Sequence, residues 1–220
     1  MAEIERLQRR RDELMSLHDS SLLCSRRRDA CIAVTREYQD IFRLGYVAPR
    51  ERDIITFTST RLDQELFTFG GCGVEMLLEQ WRRYTRTFPS IHIETHATEV
   101  TPLVDNENLH MCDAATTVGI VAVKGVVAGR IMRSTVATIC PDIWRDPVLM
   151  HKLLEREIVC PTIWSFYFNP QGRVIRLDLN VDVFEGFRTV DDITLNDLVQ
   201  VTQNLSIDDN SFLPPVLDNL

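Results

Sequence analysis

The change of hydrophobic period at Pro89 constrains the fold of this chain more than any other feature. Between Val74 and Phe88 the apolar residues share one face of a helix, and the proline then ends that helix. From Ile91 to Thr98 apolar and polar residues alternate, which is typical of a half-buried strand. Helices in the first half followed by strands in the second predict an α+β fold.

The remaining segments predict further elements on both sides of this change. A helix that starts at Asp29 has one apolar face and ends at Gly45, because glycine is a common stop after a helix. The segment Arg50–Leu66 is ambiguous, and our interpretation is one helix followed by a brief strand at Leu66–Phe69. We further expect a turn at 70–73, a long bent strand or a bulged strand pair at 116–133, a short helix within 141–155, and a hairpin of strands 164–168 and 175–183 joined by a turn at 169–172.

These elements predict an α+β roll in which helices pack on a curved antiparallel sheet and enclose a cone-shaped cavity. The chain of 220 residues is long enough for one such domain with additional ends. We expect a zipper-like helical stub at 1–26, the α+β domain at 27–190, and an acidic, partly disordered tail at 191–220. The tail assignment depends on the absence of basic residues after Thr189.

The first residues have the spacing of a coiled-coil seam. Apolar and polar residues recur there at alternating intervals of three and four, with charged residues around them. About two heptads are present, fewer than the three to four that predict a coiled coil. The stub is therefore interpreted as the end of a zipper or as a helix that leans on the rest of the fold. The seam positions are Ile4, Leu7, Arg11, Leu14 and His18.

The charge distribution disfavours nucleic acid and anionic membranes as bulk partners. The formal net charge is -8. Residues 1–50 contain ten arginines against eight acidic residues, whereas the rest of the chain contains fourteen basic against twenty-four acidic residues. Since phosphate binding needs local positive charge, any nucleic-acid role is expected at the N-terminus.

The cysteines and the apolar segments give no sign of a cofactor or a membrane. The six cysteines contain no C-x-x-C pair, so we expect reduced thiols that fill the core, with no metal, no cofactor and no catalytic residues. The purest apolar run, Val118–Val123, is far too short to span a bilayer. We therefore expect a soluble, intracellular protein.

Five large aromatic residues are candidates for the lining of an apolar cavity within the roll. The alternative is that they fill the core, and we favour it because protein interiors are densely packed. If they line a cavity, a small-molecule ligand is expected. The five residues are Tyr38, Trp81, Trp164, Phe166 and Phe168.

Several sets of polar residues could form a metal, cofactor or anion site, but each is better explained as ordinary surface or as a turn. His92 and His96 are four residues apart on a strand, about 13 Å from each other, which is too far for one metal ion. Gly71-Cys72-Gly73 lacks the third glycine of a dinucleotide-binding loop and is interpreted as a strand-to-helix turn. Two further sets are interpreted as solvated faces, namely Arg82, Arg83 and Arg86 on the helix, and Asp178, Asn180 and Asp182 on the last strand.

At this point the chain resembles a known family. In the order of its elements the chain is similar to the oomycete-type basic leucine zipper (bZIP) proteins. These elements are a zipper end, the helix closing in Tyr38–Tyr46, the helix Leu77–Tyr84, and the strands from Glu157 to Phe168 and at Gly172–Val174. Those proteins carry a nuclear-transport-factor-2-like domain behind the zipper. The resemblance covers Glu3 to about Phe187. It implies a nuclear transcription regulator that forms dimers.

One part of the family pattern is missing. The Arg/Lys-rich helix with an asparagine that reads base edges precedes the zipper in the family, and here only Met1 and Ala2 precede it. Arg26–Arg28 does not replace it, since it follows the stub and leads into the apolar face at Cys31. We therefore expect no specific DNA binding by this chain alone.

The sequence leaves three functions open. The leading hypothesis is a non-enzymatic dimerisation and interaction module of a bZIP-type transcription regulator, present as a homodimer or as a heterodimer with zipper proteins. The alternative is a small-molecule-binding or isomerase/dehydratase-like protein that uses the cavity of the roll. A third possibility is an adaptor that sequesters zipper partners. Buried, convergent polar groups in the cavity would distinguish the enzyme from the other two.

Overall fold

The computed structural model describes residues 2–102, 117–203, 205–207 and 211–214, with side chains in the first helix given at 6, 10, 11, 13–15, 18 and from 22 onwards. Short 3-10 segments lie at Ala48–Arg50 and Pro141–Arg145. The helices are α1 (Ala2–Ile41), α2 (Glu51–Arg61), α3 (Val74–Thr87), α4 (Arg133–Ile139), α5 (Pro147–Leu153), α6 (Val183–Arg188) and α7 (Leu195–Gln203). The strands are β1 (Leu62–Thr68), β2 (Gly71–Cys72), β3 (His92–Pro102), β4 (Gly119–Arg130), β5 (Glu157–Phe168) and β6 (Val174–Val181).

The first helix, α1, has two differently placed halves. The apolar face predicted from Asp29 onward is confirmed, because Cys31, Val34, Tyr38 and Phe42 are buried against the rest of the fold. The helix runs without a break across the boundary predicted at residue 26. In its first half the described seam residues Arg11, Leu14 and His18 are exposed, and Leu14 keeps 54% of its surface in solvent. The described part of the seam therefore does not pack against the roll. The side chains of Ile4 and Leu7 lie outside the described residues.

The strands form one mixed sheet of six strands in the order β2-β1-β6-β5-β4-β3. The predicted hairpin is present, with β5 and β6 antiparallel and joined at 169–172. The expectation of a wholly antiparallel sheet is wrong at one place, since β1 pairs with β6 in parallel. No tight turn joins these two strands, and their pairing is therefore not restricted to the antiparallel direction that a hairpin imposes.

A short helix that the sequence analysis does not predict follows the long strand β4. The strand β4 is the long strand expected, but it ends at Arg130, and α4 begins at Arg133. The β-branched residues of α4 favour a strand, and burial overrides that preference. Thr135 and Val136 are buried, and the Thr135 hydroxyl donates to the Thr87 carbonyl oxygen at 2.5 Å.

The C-terminal region packs on the roll, although the sequence predicts a tail from residue 191. Leu198 and Val201 of α7 are buried, and so is Leu213. Lys152 of α5 forms an ion pair with Asp197 at 2.5 Å, and its hydrogen bond lowers the pKa of Asp197 to about 2. The described residues of this region are therefore part of the domain.

The edge strand β3 contains a bulge where it crosses β4. The pairing register shifts between Thr95 and Ala97, so His96 has no partner in the ladder. Gly125 of β4 lies opposite this point, and a Cβ atom there would stand 2.1 Å from the Glu94 carbonyl oxygen. Only glycine allows the two backbones to approach so closely.

We expect Gly125→Ala to lower the free energy of unfolding by about 1–3 kcal/mol, because the added methyl group must push β3 away. Gly119→Ala is the matched control, since it lies on the same strand and a Cβ atom there meets nothing within 4 Å. Urea unfolding of both variants measures the difference. Equal stability of the two variants would show that the backbones do not approach as described.

Candidate functional site

A partly enclosed apolar cavity lies between α3 and the face of the sheet formed by β4, β5 and β6. The space open to the centres of water molecules in it is about 60 Å³. The C-terminal residues Ile207, Ser211 and Leu213 form its remaining wall. The other lining residues are Trp81, Tyr84, Phe88, Ile91, Val127, Ala128, Gly129, Ile139, Ile158, Cys160, Leu179, Val181 and Val183.

The residues that line this cavity follow the helical and strand periodicities of the sequence. On α3, Trp81, Tyr84 and Phe88 are spaced by three and four residues and therefore share one face. On the strands the lining residues mostly alternate with outward-facing ones, as Ile158 and Cys160 do on β5. Gly129 has no side chain at the point where the Phe88 ring lies against β4, at 3.1 Å from where a Cβ atom would be.

The polar atoms around the cavity are hydrogen-bonded or uncharged. The indole N–H of Trp81 donates to the Tyr38 hydroxyl at 2.8 Å, and the Tyr84 hydroxyl donates to the Ser211 carbonyl oxygen. Burial raises the pKa of the Cys160 thiol to about 12, so the thiol is protonated at physiological pH. Among the described lining residues there is no Asp, Glu, His, Lys or Arg. The cavity therefore suits an apolar molecule and lacks an evident general acid or base.

Residues 205–207 and 211–214, here called the C-terminal strap, close the cavity. Arg83 of α3 donates to the Leu213 carbonyl oxygen at 3.0 Å, and its guanidinium lies 5.0 Å from the centre of the Phe212 ring. The backbone N–H of Ser206 donates to the Ile139 carbonyl oxygen at 2.8 Å. Arg83 is therefore not a solvated residue as the sequence predicts, since its side chain is only 16% exposed.

The five predicted cavity residues divide between the cavity wall and the core. Trp81 borders the cavity, whereas the other four are buried and do not border it. Tyr38 makes ring contacts with Phe42 at 4.7 Å and with Phe166 at 5.1 Å. The sequence analysis missed most of the true lining. Tyr84 and Phe88 could have been found on the same helical stripe as Trp81, but no pattern pointed to the strap.

The other polar groups lie apart from the cavity. His92 is 3.9 Å from Glu94, and no group of three or more metal-ligating side chains occurs in the part of the chain that the structure describes. Asp178 pairs with Arg176 at 2.9 Å on the outer sheet face. Asp182 is not on a strand face as predicted, because its carboxylate caps α6 by accepting from the Glu185 N–H at 2.9 Å.

The glycine turn at residues 70–73 does what the sequence predicts. Gly71–Cys72 within it form β2, which pairs with the end of β1, and Gly73, at a φ of +105°, leads into α3. None of the described helices is both long enough and apolar enough to cross a membrane.

Comparisons with known proteins find no matching family model and no matching curated protein. A SnoaL-like polyketide cyclase from Agrobacterium tumefaciens is a similar solved structure, with 12% identity, a TM-score of 0.46, and coverage of 72% of this chain and 95% of that one. IdmH from Streptomyces antibioticus, a suggested polyketide cyclase, has 10% identity, a TM-score of 0.46, and coverage of 72% and 96%. An NTF2-like protein of unknown function from Exiguobacterium sp. 255-15 has 12% identity, a TM-score of 0.42, and coverage of 68% and 98%.

The predicted α+β roll is confirmed by the structure, in which helices accompany one sheet of six strands, and one of the similar solved structures is an NTF2-like protein. The leading functional hypothesis, a dimerisation module of a bZIP-type transcription regulator, is contradicted, since the similar solved structures are described as polyketide cyclases or as an NTF2-like protein. The resemblance to bZIP proteins, the nuclear location and the dimeric partners stay predictions.

We expect Trp81→Ala to lower the free energy of unfolding by about 3–5 kcal/mol, because the substitution removes a buried indole from the core. The loss includes the stacking of Trp81 on Phe42, whose ring centres are 4.9 Å apart, and the hydrogen bond to Tyr38. Arg86→Ala, on the exposed face of the same helix, is the control and should change stability by less than about 0.5 kcal/mol. Thermal or urea melts that reverse this order would contradict the placement of α3.

Proposed function

We propose that this protein binds a small apolar molecule in the cavity beneath α3. The observation that carries the proposal is the apolar cavity itself, whose described lining consists mostly of aromatic and aliphatic side chains and contains no charged group. Natural ligand pockets are mostly apolar, with a few polar groups that orient the ligand. A binding role is favoured over isomerase or dehydratase chemistry, because general acid–base catalysis requires a positioned proton donor or acceptor of suitable pKa.

The size of the cavity implies that one wall moves when the ligand enters. Its volume of about 60 Å³ is smaller than the roughly 150 Å³ of an engineered protein cavity that holds benzene. A larger ligand must therefore displace part of the lining. The sheet is held by ladder hydrogen bonds and α3 by its own backbone, whereas the described contacts of the C-terminal strap are hydrogen bonds with Arg83, Tyr84 and Ile139 and the packing of buried Leu213. We infer that the strap is the wall that yields.

Ligand binding and strap docking then compete for the same space. If only the molecules with a displaced strap bind, the apparent affinity is reduced in proportion to the fraction of such molecules. Loosening the strap should therefore strengthen binding. Arg83→Gln removes the guanidinium that contacts Leu213 and Phe212, and it leaves the described lining of the cavity unchanged.

The test is a titration with the neutral fluorescent probe N-phenyl-1-naphthylamine. We expect saturable binding with one site per chain, tighter binding in Arg83→Gln, and binding weaker by about tenfold in Leu179→Phe, which fills the cavity with about 1–3 kcal/mol of steric cost. Ile163→Phe is the matched control on the outer face of the sheet, where Ile163 is 43% exposed, and it should bind like the wild type. Absence of saturable binding in both the wild type and Arg83→Gln would overturn the proposal, as would equal binding by Leu179→Phe.

A further inference from the structure

A second, polar depression lies where α1 crosses the bulge of β3. Its lining comes from α1 (Thr35, Arg36, Gln39), from four consecutive residues of β3 (Thr95–Thr98) and from Val123 of β4, and this set is here called the bulge groove. The space open to the centres of water molecules in it is about 480 Å³. It shares no lining residue with the cavity beneath α3.

The bulge explains why a single strand can line this groove so densely. In a regular strand successive side chains point to opposite faces, so only every second residue could face α1. The register shift between Thr95 and Ala97 breaks this alternation, and four successive residues border the groove. Bulges often re-aim side chains beside binding sites. The close approach at Gly125 makes this arrangement possible.

Gln39 is the observation that points to a ligand. The residue is only 8% exposed, and its Nε2 atom has no hydrogen-bond partner in the structure. Its Oε1 atom accepts a single long hydrogen bond of 3.4 Å from the Thr95 hydroxyl. If the amide were turned over, the Thr95 hydroxyl could accept from Nε2, and the carbonyl oxygen would then lack a partner. A buried amide with one unpaired polar atom is costly unless another group satisfies it.

The charges around the groove favour an anion. Among the acidic residues that adjoin lining residues in the sequence, Glu37 pairs with Arg61 at 3.1 Å, Asp40 with Arg50 at 2.8 Å and Glu99 with Lys124 at 2.7 Å, and Glu94 lies 3.9 Å from His92. Within the described ranges, Arg36 forms no ion pair, and no Asp or Glu lines the groove. The exposed guanidinium of Arg36 and the exposed imidazole of His96 thus border the same space as the Gln39 amide.

We propose that the bulge groove binds a small organic carboxylate. The guanidinium fork of Arg36 matches the two oxygens of a carboxylate, and the Nε2 group of Gln39 donates the additional hydrogen bond that it lacks in the structure. Ala97 and Val123 provide apolar surface for the rest of the molecule. This site is independent of the apolar cavity, so either proposal can fail without the other.

The test uses benzoate as the probe, with benzyl alcohol as the neutral analogue and inorganic phosphate as a second anion, followed by calorimetry or ligand-observed NMR. We expect saturable benzoate binding, with Arg36→Gln and Gln39→Leu each weakening it by about tenfold or more, because each removes a hydrogen bond to a charged group. Arg133→Gln is the matched control, since Arg133 is equally exposed and lies on α4, outside the groove. It should bind benzoate like the wild type.

The stability of the variants separates a binding role from a structural one. Gln39→Leu should melt at the same temperature as the wild type or higher, because leucine removes a buried polar atom that has no partner. A fall in melting temperature would show that the amide is needed for folding and would overturn the role given to it here. The proposal also fails if benzoate does not bind the wild type, if benzyl alcohol or phosphate binds as tightly as benzoate, or if both groove variants bind benzoate unchanged. Binding of N-phenyl-1-naphthylamine should not change in either groove variant.

Discussion

The contact between Tyr38 and Trp81 holds the first and third helices in place over the sheet. The Trp81 indole N–H donates to the Tyr38 hydroxyl at 2.8 Å, and the Tyr38 ring meets the edge of Phe166 on β5 at 5.1 Å. Buried polar atoms of this kind need a partner, so the hydrogen bond restricts how the two helices can shift relative to each other. Since Trp81 also borders the apolar cavity, the same contact fixes one wall of the candidate ligand site.

Gly125 has a comparable role at the edge of the sheet. Without a side chain at this position, the Glu94 carbonyl oxygen can approach β4, and β3 can carry its bulge. The bulge brings His96 and its neighbours to the groove beside α1, where the unpaired amide of Gln39 lies. A local departure from the regular ladder therefore creates a surface that a regular strand could not provide.

The sequence predicts those elements whose burial is one-sided, because a single buried face leaves a period in the residue order. This holds for α3, for the domain half of α1 and for the hairpin of β5 and β6. The sequence of α4 shows no such period. Its β-branched residues favour a strand, and only their burial in the fold makes the helix stable. The aromatic residues of the core and of the cavity wall are equally apolar, so composition cannot tell Phe166 from Phe88. The two parts of the strap are too short for their apolar residues to form a period.

The rigidity of the aromatic cluster also determines where the apolar cavity can open. Movement of α3 away from the sheet would break the hydrogen bond to Tyr38 and the stacking on Phe42, and movement of the strands would break the ladder. Displacement of the C-terminal strap would break its contacts with Arg83 and Tyr84 but would leave the Trp81–Tyr38 hydrogen bond and the ladder in place. Both of these side chains project from α3, the helix that forms the cavity wall. Entry of a ligand is therefore expected to be linked to release of the C-terminal residues, while α1 and the bulge groove stay in place.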